Sequence, residues 1–195
     1  MPLNVRVRLA AAAVSASLVA VGCSVDQAVP SAPVARPSAG VAPSASRAFA
    51  LTRKQPLKDS IVVSAVIDPK RGGTISIPAA GLDVTFPNNA VTVPTTVTVT
   101  ALAGHLVAYE FGPHGTTFNA PVRVRQDLTP TNWYRLYDRS QFEAGYFKDK
   151  SQIDPATGTA LIDEFLPVDA TTTKNKADFR ITHFSGYLLS TGREK

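Results

Sequence analysis

The sequence predicts an all-β domain, an antiparallel β-sandwich, behind a signal helix and a disordered linker. Three observations predict it. Short apolar runs, most of them alternating with polar residues, recur with turn residues about every eight to twelve positions, as in a sandwich. No apolar stretch sustains the 3.6-residue period of an amphipathic helix. Fifteen prolines and twelve glycines in 195 residues argue against a helical bundle. With 44% hydrophobic and 18% charged residues the chain has enough apolar surface for a core.

Taken in order, the first run is Ser60 to Ile67, which stops at Asp68-Pro69 and reads as a first strand or an approach segment. Thr74 to Ile77 follows Gly72-Gly73 and ends at Pro78. Leu82 to Phe86 alternates and ends at Pro87-Asn88-Asn89. Thr95 to Leu102 carries β-branched residues at most positions, as strands favour. Val107 to Phe111, Pro121 to Arg125, Trp133 to Tyr137 and Gly145 to Lys148 come next. Ala160 to Phe165, Asp178 to Thr182 and Phe184 to Leu189 complete the set.

The N-terminus reads as an address. Arg6 and Arg8 precede Leu9 to Val21, a run of small and apolar residues. Thirteen residues rise only about 20 Å as a helix, short of the roughly 30 Å hydrocarbon core of a bilayer, so a secretory segment fits better than a membrane span. The run ends Ala20-Val21-Gly22-Cys23, and Cys23 is the chain's one cysteine. This resembles the lipobox of bacterial lipoproteins, with Ala20 where leucine is commoner. The resemblance implies removal of residues 1–22 as a signal peptide and acylation of Cys23, hence attachment to a lipid bilayer in the cell envelope. Ser24 in place of aspartate favours the outer membrane where a second membrane exists. Ser24 to Ala50 is almost wholly Ala, Ser, Pro, Val and Gly. Such a composition cannot bury enough apolar area to offset its ordering entropy, so it reads as a tether. The expected division is therefore 1–22 signal peptide, 23–71 tether and approach segment, and 72–195 sandwich.

Charge follows the same division. The chain has 20 basic and 15 acidic residues, but from Gly72 onward there are 11 basic and 12 acidic. The excess of positive charge belongs to the leader and tether, which removes the main support for nucleic-acid binding. One cysteine excludes an intrachain disulfide, and three scattered histidines argue against a dedicated metal site. No cofactor is expected.

A set of motifs then runs through the C-terminal region: Gly72-Gly73-Thr-Ile-Ser-Ile-Pro78, Gly81-Leu-Asp-Val-Thr-Phe-Pro87, Ala90-Val91, Thr96-Val-Thr-Val99, Phe111-Gly112-Pro113-His114-Gly115-Thr-Thr-Phe118 and Pro121-Val122. In this order they resemble the ZU-five domain of ankyrins, netrin receptors and zonula occludens scaffolds, over roughly Gly72 to Leu189. The resemblance implies an antiparallel β-sandwich and a role in protein contacts. Partners are expected to be an envelope protein or a glycan, not nucleic acid.

Three candidate sites stand out. Gly112-Pro113-His114-Gly115 reads as a tight turn between sheets, with Pro113 fixing φ, the glycines free to adopt positive φ and His114 capping nearby backbone. Trp133, Tyr134, Tyr137, Phe142, Tyr146 and Phe147 form an aromatic cluster that suits a carbohydrate platform, although core packing accounts for it more simply. The third is His183-Phe184-Ser185, which resembles the self-cleavage site of certain ZU-five domains. That likeness implies attack of Ser185 Oγ on the Phe184 carbonyl carbon, with His183 as general base, followed by hydrolysis of the ester between Phe184 and Ser185. Asp163-Glu164 does not make an acid–base pair, because adjacent strand residues point to opposite faces.

Overall fold

The computed structural model describes residues 45–133, 138–170 and 175–194. The leader, Cys23, the tether up to residue 44, Tyr134, Tyr137 and Lys174 lie outside the described residues. The described residues all belong to one compact unit. None of their helices is long and apolar enough to cross a membrane.

Fifteen strands fill this part of the chain: β1 (Ser46–Ala50), β2 (Thr52–Leu57), β3 (Ile61–Ile67), β4 (Gly73–Ile77), β5 (Leu82–Phe86), β6 (Thr95–Ala101), β7 (Gly104–Leu106), β8 (Ala108–Gly112), β9 (Thr117–Asp127), β10 (Glu143–Phe147), β11 (Ile153–Asp154), β12 (Thr159–Ile162), β13 (Glu164–Pro167), β14 (Lys176–His183) and β15 (Gly186–Arg193). Every pairing between them is antiparallel. The larger sheet runs β11-β12-β1-β15-β8-β6-β3, with β10 and β13 branching from β15. The smaller runs β14-β9-β5-β4, and β2 pairs with β7 and bridges Thr131 through Arg53.

The alternation seen in the sequence decides which face is inside. Ile75 and Ile77, Val84 and Phe86, Val122 and Val124, and Phe179 and Ile181 project from the smaller sheet. They meet Val97, Val99, Tyr109, Phe111, Tyr187 and Leu189 from the larger one. Burial of these side chains is the main stabilising term, at about 1.5–3 kcal/mol each. Alternate residues of the larger sheet serve a second, smaller core on its far side, where Leu188 packs with Ala48, Ala108, Phe147 and Ile162. This double burial explains why β15 is buried over Gly186 to Thr191 without interruption.

The sandwich begins earlier than expected. The reading of 23–71 as tether and approach segment fails from Ser46 onward. β1 lies inside the larger sheet, paired on one side with β12 and on the other with β15. Ala48 and Leu51 are fully buried. Small residues there look like linker composition, yet in a crowded three-strand contact they are what fits. β2 and β3 are likewise part of the fold, so the expected domain start at Gly72 marks only a turn. Gly72 itself has φ 69°, and a Cβ on it would lie 2.1 Å from the Phe86 carbonyl oxygen, so this turn requires glycine.

One buried polar cluster ties the layers together. Tyr109 donates to Gln126 Oε1 and lies 3.2 Å from the Ala80 carbonyl. The buried Arg53 reaches the carbonyls of Leu102, Gly104 and Leu106 and so pins the β7 segment. Burial pushes the Tyr109 phenol up to about 12, against the opposing effect of Arg53. Tyr187 is raised in the same direction, first by burial and then by Glu164 and Tyr146. In the unfolded chain a tyrosine loses its proton near pH 10. Between about pH 10 and 12 the unfolded state therefore holds fewer protons than the folded state, and stability falls as pH rises. Urea midpoints should be flat from pH 8 to about 9.5 and fall above it. The fall should be shallower in Tyr109→Phe, whatever its stability at neutral pH.

Candidate functional site

Two corners carry the chain from one sheet to the other, and they lie against each other. After β8 of the larger sheet, Pro113 to Thr116 lead into β9 of the smaller one. After β14 of the smaller sheet, Phe184 and Ser185 lead back into β15 of the larger. The second corner follows a register shift between Ile181 and His183, the kind of irregularity that bends a strand away from its sheet.

Backbone hydrogen bonds clasp the corners. The Phe184 amide donates to the Thr116 carbonyl at 2.8 Å, the Phe111 amide to the Ser185 carbonyl at 2.9 Å and the Gly115 amide to the Phe184 carbonyl at 3.4 Å. Phe184 is 2% exposed and sits among Phe86, Phe111 and Phe118, with the Phe118 ring edge-on at 4.5 Å. The expected sheet-to-sheet turn at Gly112-Pro113-His114-Gly115 is therefore present, with Gly115 at φ 80° and a cis bond between Gly112 and Pro113. His114 does not cap it. Its side chain is exposed and makes no hydrogen bond among the described residues; the turn is closed by the Thr116 amide on the Pro113 carbonyl and by the opposite corner.

The reactive groups of His183-Phe184-Ser185 are engaged elsewhere. Ser185 is 4% exposed and its hydroxyl donates to the Phe147 carbonyl at 3.1 Å. His183 Nδ1 lies 3.2 Å from the Tyr187 hydroxyl, which also donates to the His183 carbonyl at 2.9 Å. Tyr146 meets the imidazole edge-on at 4.9 Å, and Glu164 lies 4.0 Å from Nε2. No hydrogen bond joins His183 to Ser185. The strand order brings the three residues to a groove of about 500 Å³, lined also by His114, Tyr146 and Lys148, but the proton acceptor of Ser185 there is a backbone carbonyl. Such an acceptor fixes the hydroxyl without activating it. The denatured chain is accordingly expected to give one intact mass, unchanged by Ser185→Ala or by hydroxylamine. A fragment beginning at Ser185 would contradict this.

The described members of the aromatic cluster do not make one platform. Phe142 and Phe147 are buried in different cores, Tyr146 packs on His183, and one face of the half-buried Trp133 is taken by the Arg139 guanidinium at 3.8 Å. Asp163 takes Gln152 and Lys148 while Glu164 lies near His183, so the two carboxylates serve different neighbours. On the smaller sheet's outer face Asp178 receives bidentate hydrogen bonds from both Arg123 and Arg125, at 2.9 to 3.1 Å. Burial pushes its carboxyl up, and the two arginines more than reverse that, holding it below the usual range.

The most open feature is a strand edge. Among the described residues β3 ends the larger sheet and pairs only with β6, without a register break from Ile61↔Ala101 to Ile67↔Thr95. Its outer face shows Val62 at 60% and Val66 at 65% exposure, with Val93 exposed in the loop before β6. On the core side Ile61, Val63 and Ala65 remain only half-buried. Periodicity alone reads this run as a strand or an approach segment and does not give its position in the sheet. The signal was there in eight uncharged residues between Asp59 and Asp68. No known protein family matches the chain, and comparison with curated proteins finds no match.

Proposed function

We propose that the chain is an envelope lipoprotein, held on a lipid bilayer through acylated Cys23, whose ZU-five-like sandwich binds protein by strand addition at β3. The open edge carries this reading. A sheet edge presents a row of unpaired backbone donors and acceptors, and proteins ordinarily blunt it with charge, proline or shortness. Most other ends are blunted; the uncharged β4, also an edge, has five residues and turns Thr74 and Ser76 outward. β11 has two residues, β2 contains Lys54 and Pro56, β13 ends on Pro167, and β14 carries Lys176, Asp178 and Arg180. β3 has none of these features and adds exposed valines, which fits a surface kept for an incoming strand. The lone cysteine after a signal-like run supports the anchor. The groove at His183 is read as a structural clasp, and glycan binding is not favoured because Arg139 occupies a face of Trp133.

Two measurements test the reading. Metabolic acyl labelling should tag the chain, and Cys23→Ala should abolish the tag. Cross-linking in intact envelopes followed by purification of the chain should recover a partner that is lost in the double variant Val62→Lys, Val66→Lys. Equal recovery from both would contradict strand addition at β3.

A further inference from the structure

We propose that the strand added at β3 is the β3 of a second copy, so that two chains pair about a two-fold axis through Ser64. This rests on the reading of β3 as a strand-addition edge. The sequence of the strand is self-complementary. In Ile61-Val-Val-Ser-Ala-Val-Ile67, antiparallel pairing centred on Ser64 sets Ile61 opposite Ile67, Val62 opposite Val66 and Val63 opposite Ala65 of the other copy. Faces match as well as sizes. Val62, Ser64 and Val66 share the outer face, while Ile61, Val63, Ala65 and Ile67 share the core face. A two-fold axis perpendicular to the sheet preserves both faces, so each half-covered core residue gains an apolar neighbour and the two nine-stranded sheets become one.

The flanking charges give this orientation no support. Lys58 and Asp59 precede the strand, Asp68, Lys70 and Arg71 follow it, and the register sets Lys58 level with Lys70 of the other copy. All five are exposed and lie outside the paired residues, where salt screens their repulsion. The orientation rests on the strand's own residues. Within the strand no charge opposes association, and like charges set opposite each other are the device that would prevent it. The contact is a single strand pair, smaller than a standard interface. Two chains anchored in one membrane meet at a raised effective concentration, which suits a contact of this size.

The test uses the full chain. Sedimentation over a concentration series should show a monomer–dimer equilibrium. Val62→Lys with Val66→Lys places like charges opposite each other twice and should weaken the dimer about tenfold or more. Val62→Lys with Val66→Glu places opposite charges there and should restore most of the loss. Both positions are exposed, and circular dichroism checks that the fold is kept. In a Cys23→Ser chain, Ser64→Cys should form a disulfide-linked dimer on mild oxidation, because directly opposed antiparallel residues have Cα atoms about 4.5–5.5 Å apart. A photo-cross-linker at position 62 separates the two readings in intact envelopes. Adducts at twice the chain mass support the homodimer. Adducts only with another protein overturn the homodimer and leave strand addition standing. No adduct, with a monomer at every concentration, overturns both. Equal behaviour of the two charge variants, or no Ser64→Cys dimer, overturns the register.

Discussion

Replacing Phe184 with alanine is expected to destabilise the domain by about 3–5 kcal/mol, the range for deleting a fully buried aromatic ring. The ring lies where both sheet-switching corners meet, against Phe86, Phe111 and Phe118, so no single neighbour can collapse into the space. A domain of this size should lose on the order of 10 °C in melting temperature. Urea unfolding of the full chain measures it. A loss below about 1 kcal/mol would mean that the corner is not a structural clasp.

Gly186→Ala is expected to be nearly as severe, at about 3 kcal/mol, through overpacking rather than a cavity. A Cβ at Gly186 would lie 2.0 Å from Cε2 of Phe147, and three ring atoms lie within 2.4 Å. Phe147 is fully buried, so its ring has no open space to move into. Combining Gly186→Ala with Phe147→Leu should recover part of the loss, because the smaller side chain vacates the contact. If the double variant is simply additive, the contact does not couple the two positions.

These two substitutions also show what was legible in the sequence. The alternation at Thr74–Ile77, Leu82–Phe86 and Thr95–Ala101 fixed both the strands and their inward faces, because each of these strands buries only one side. The Gly112–Gly115 turn was legible for the same local reason: proline and glycine restrict backbone geometry wherever they stand. β1 was not legible. Its Ala48 and Ala50 carry little strand preference, and their placement follows from pairing with Arg193 and Ser190 at the far end of the chain. Ser185 shows a similar limit. Its type suggested a nucleophile, but its role depends on the Phe147 carbonyl, 38 residues earlier, which no spacing announces. The exposed edge of β3 required knowing which strands find partners, and that is a property of the whole sheet.

Strand addition at β3 is tested most directly by residue-resolved amide exchange over Ile61–Ile67 in the membrane-embedded full chain. The amides that point away from β6 have no partner strand among the described residues. Addition of a strand should slow their exchange by about tenfold or more in the embedded protein, and Val62→Lys with Val66→Lys should return them to the fast rates of an open edge. Fast exchange at these amides in the embedded wild-type chain, equal to that of the double variant, would contradict the account.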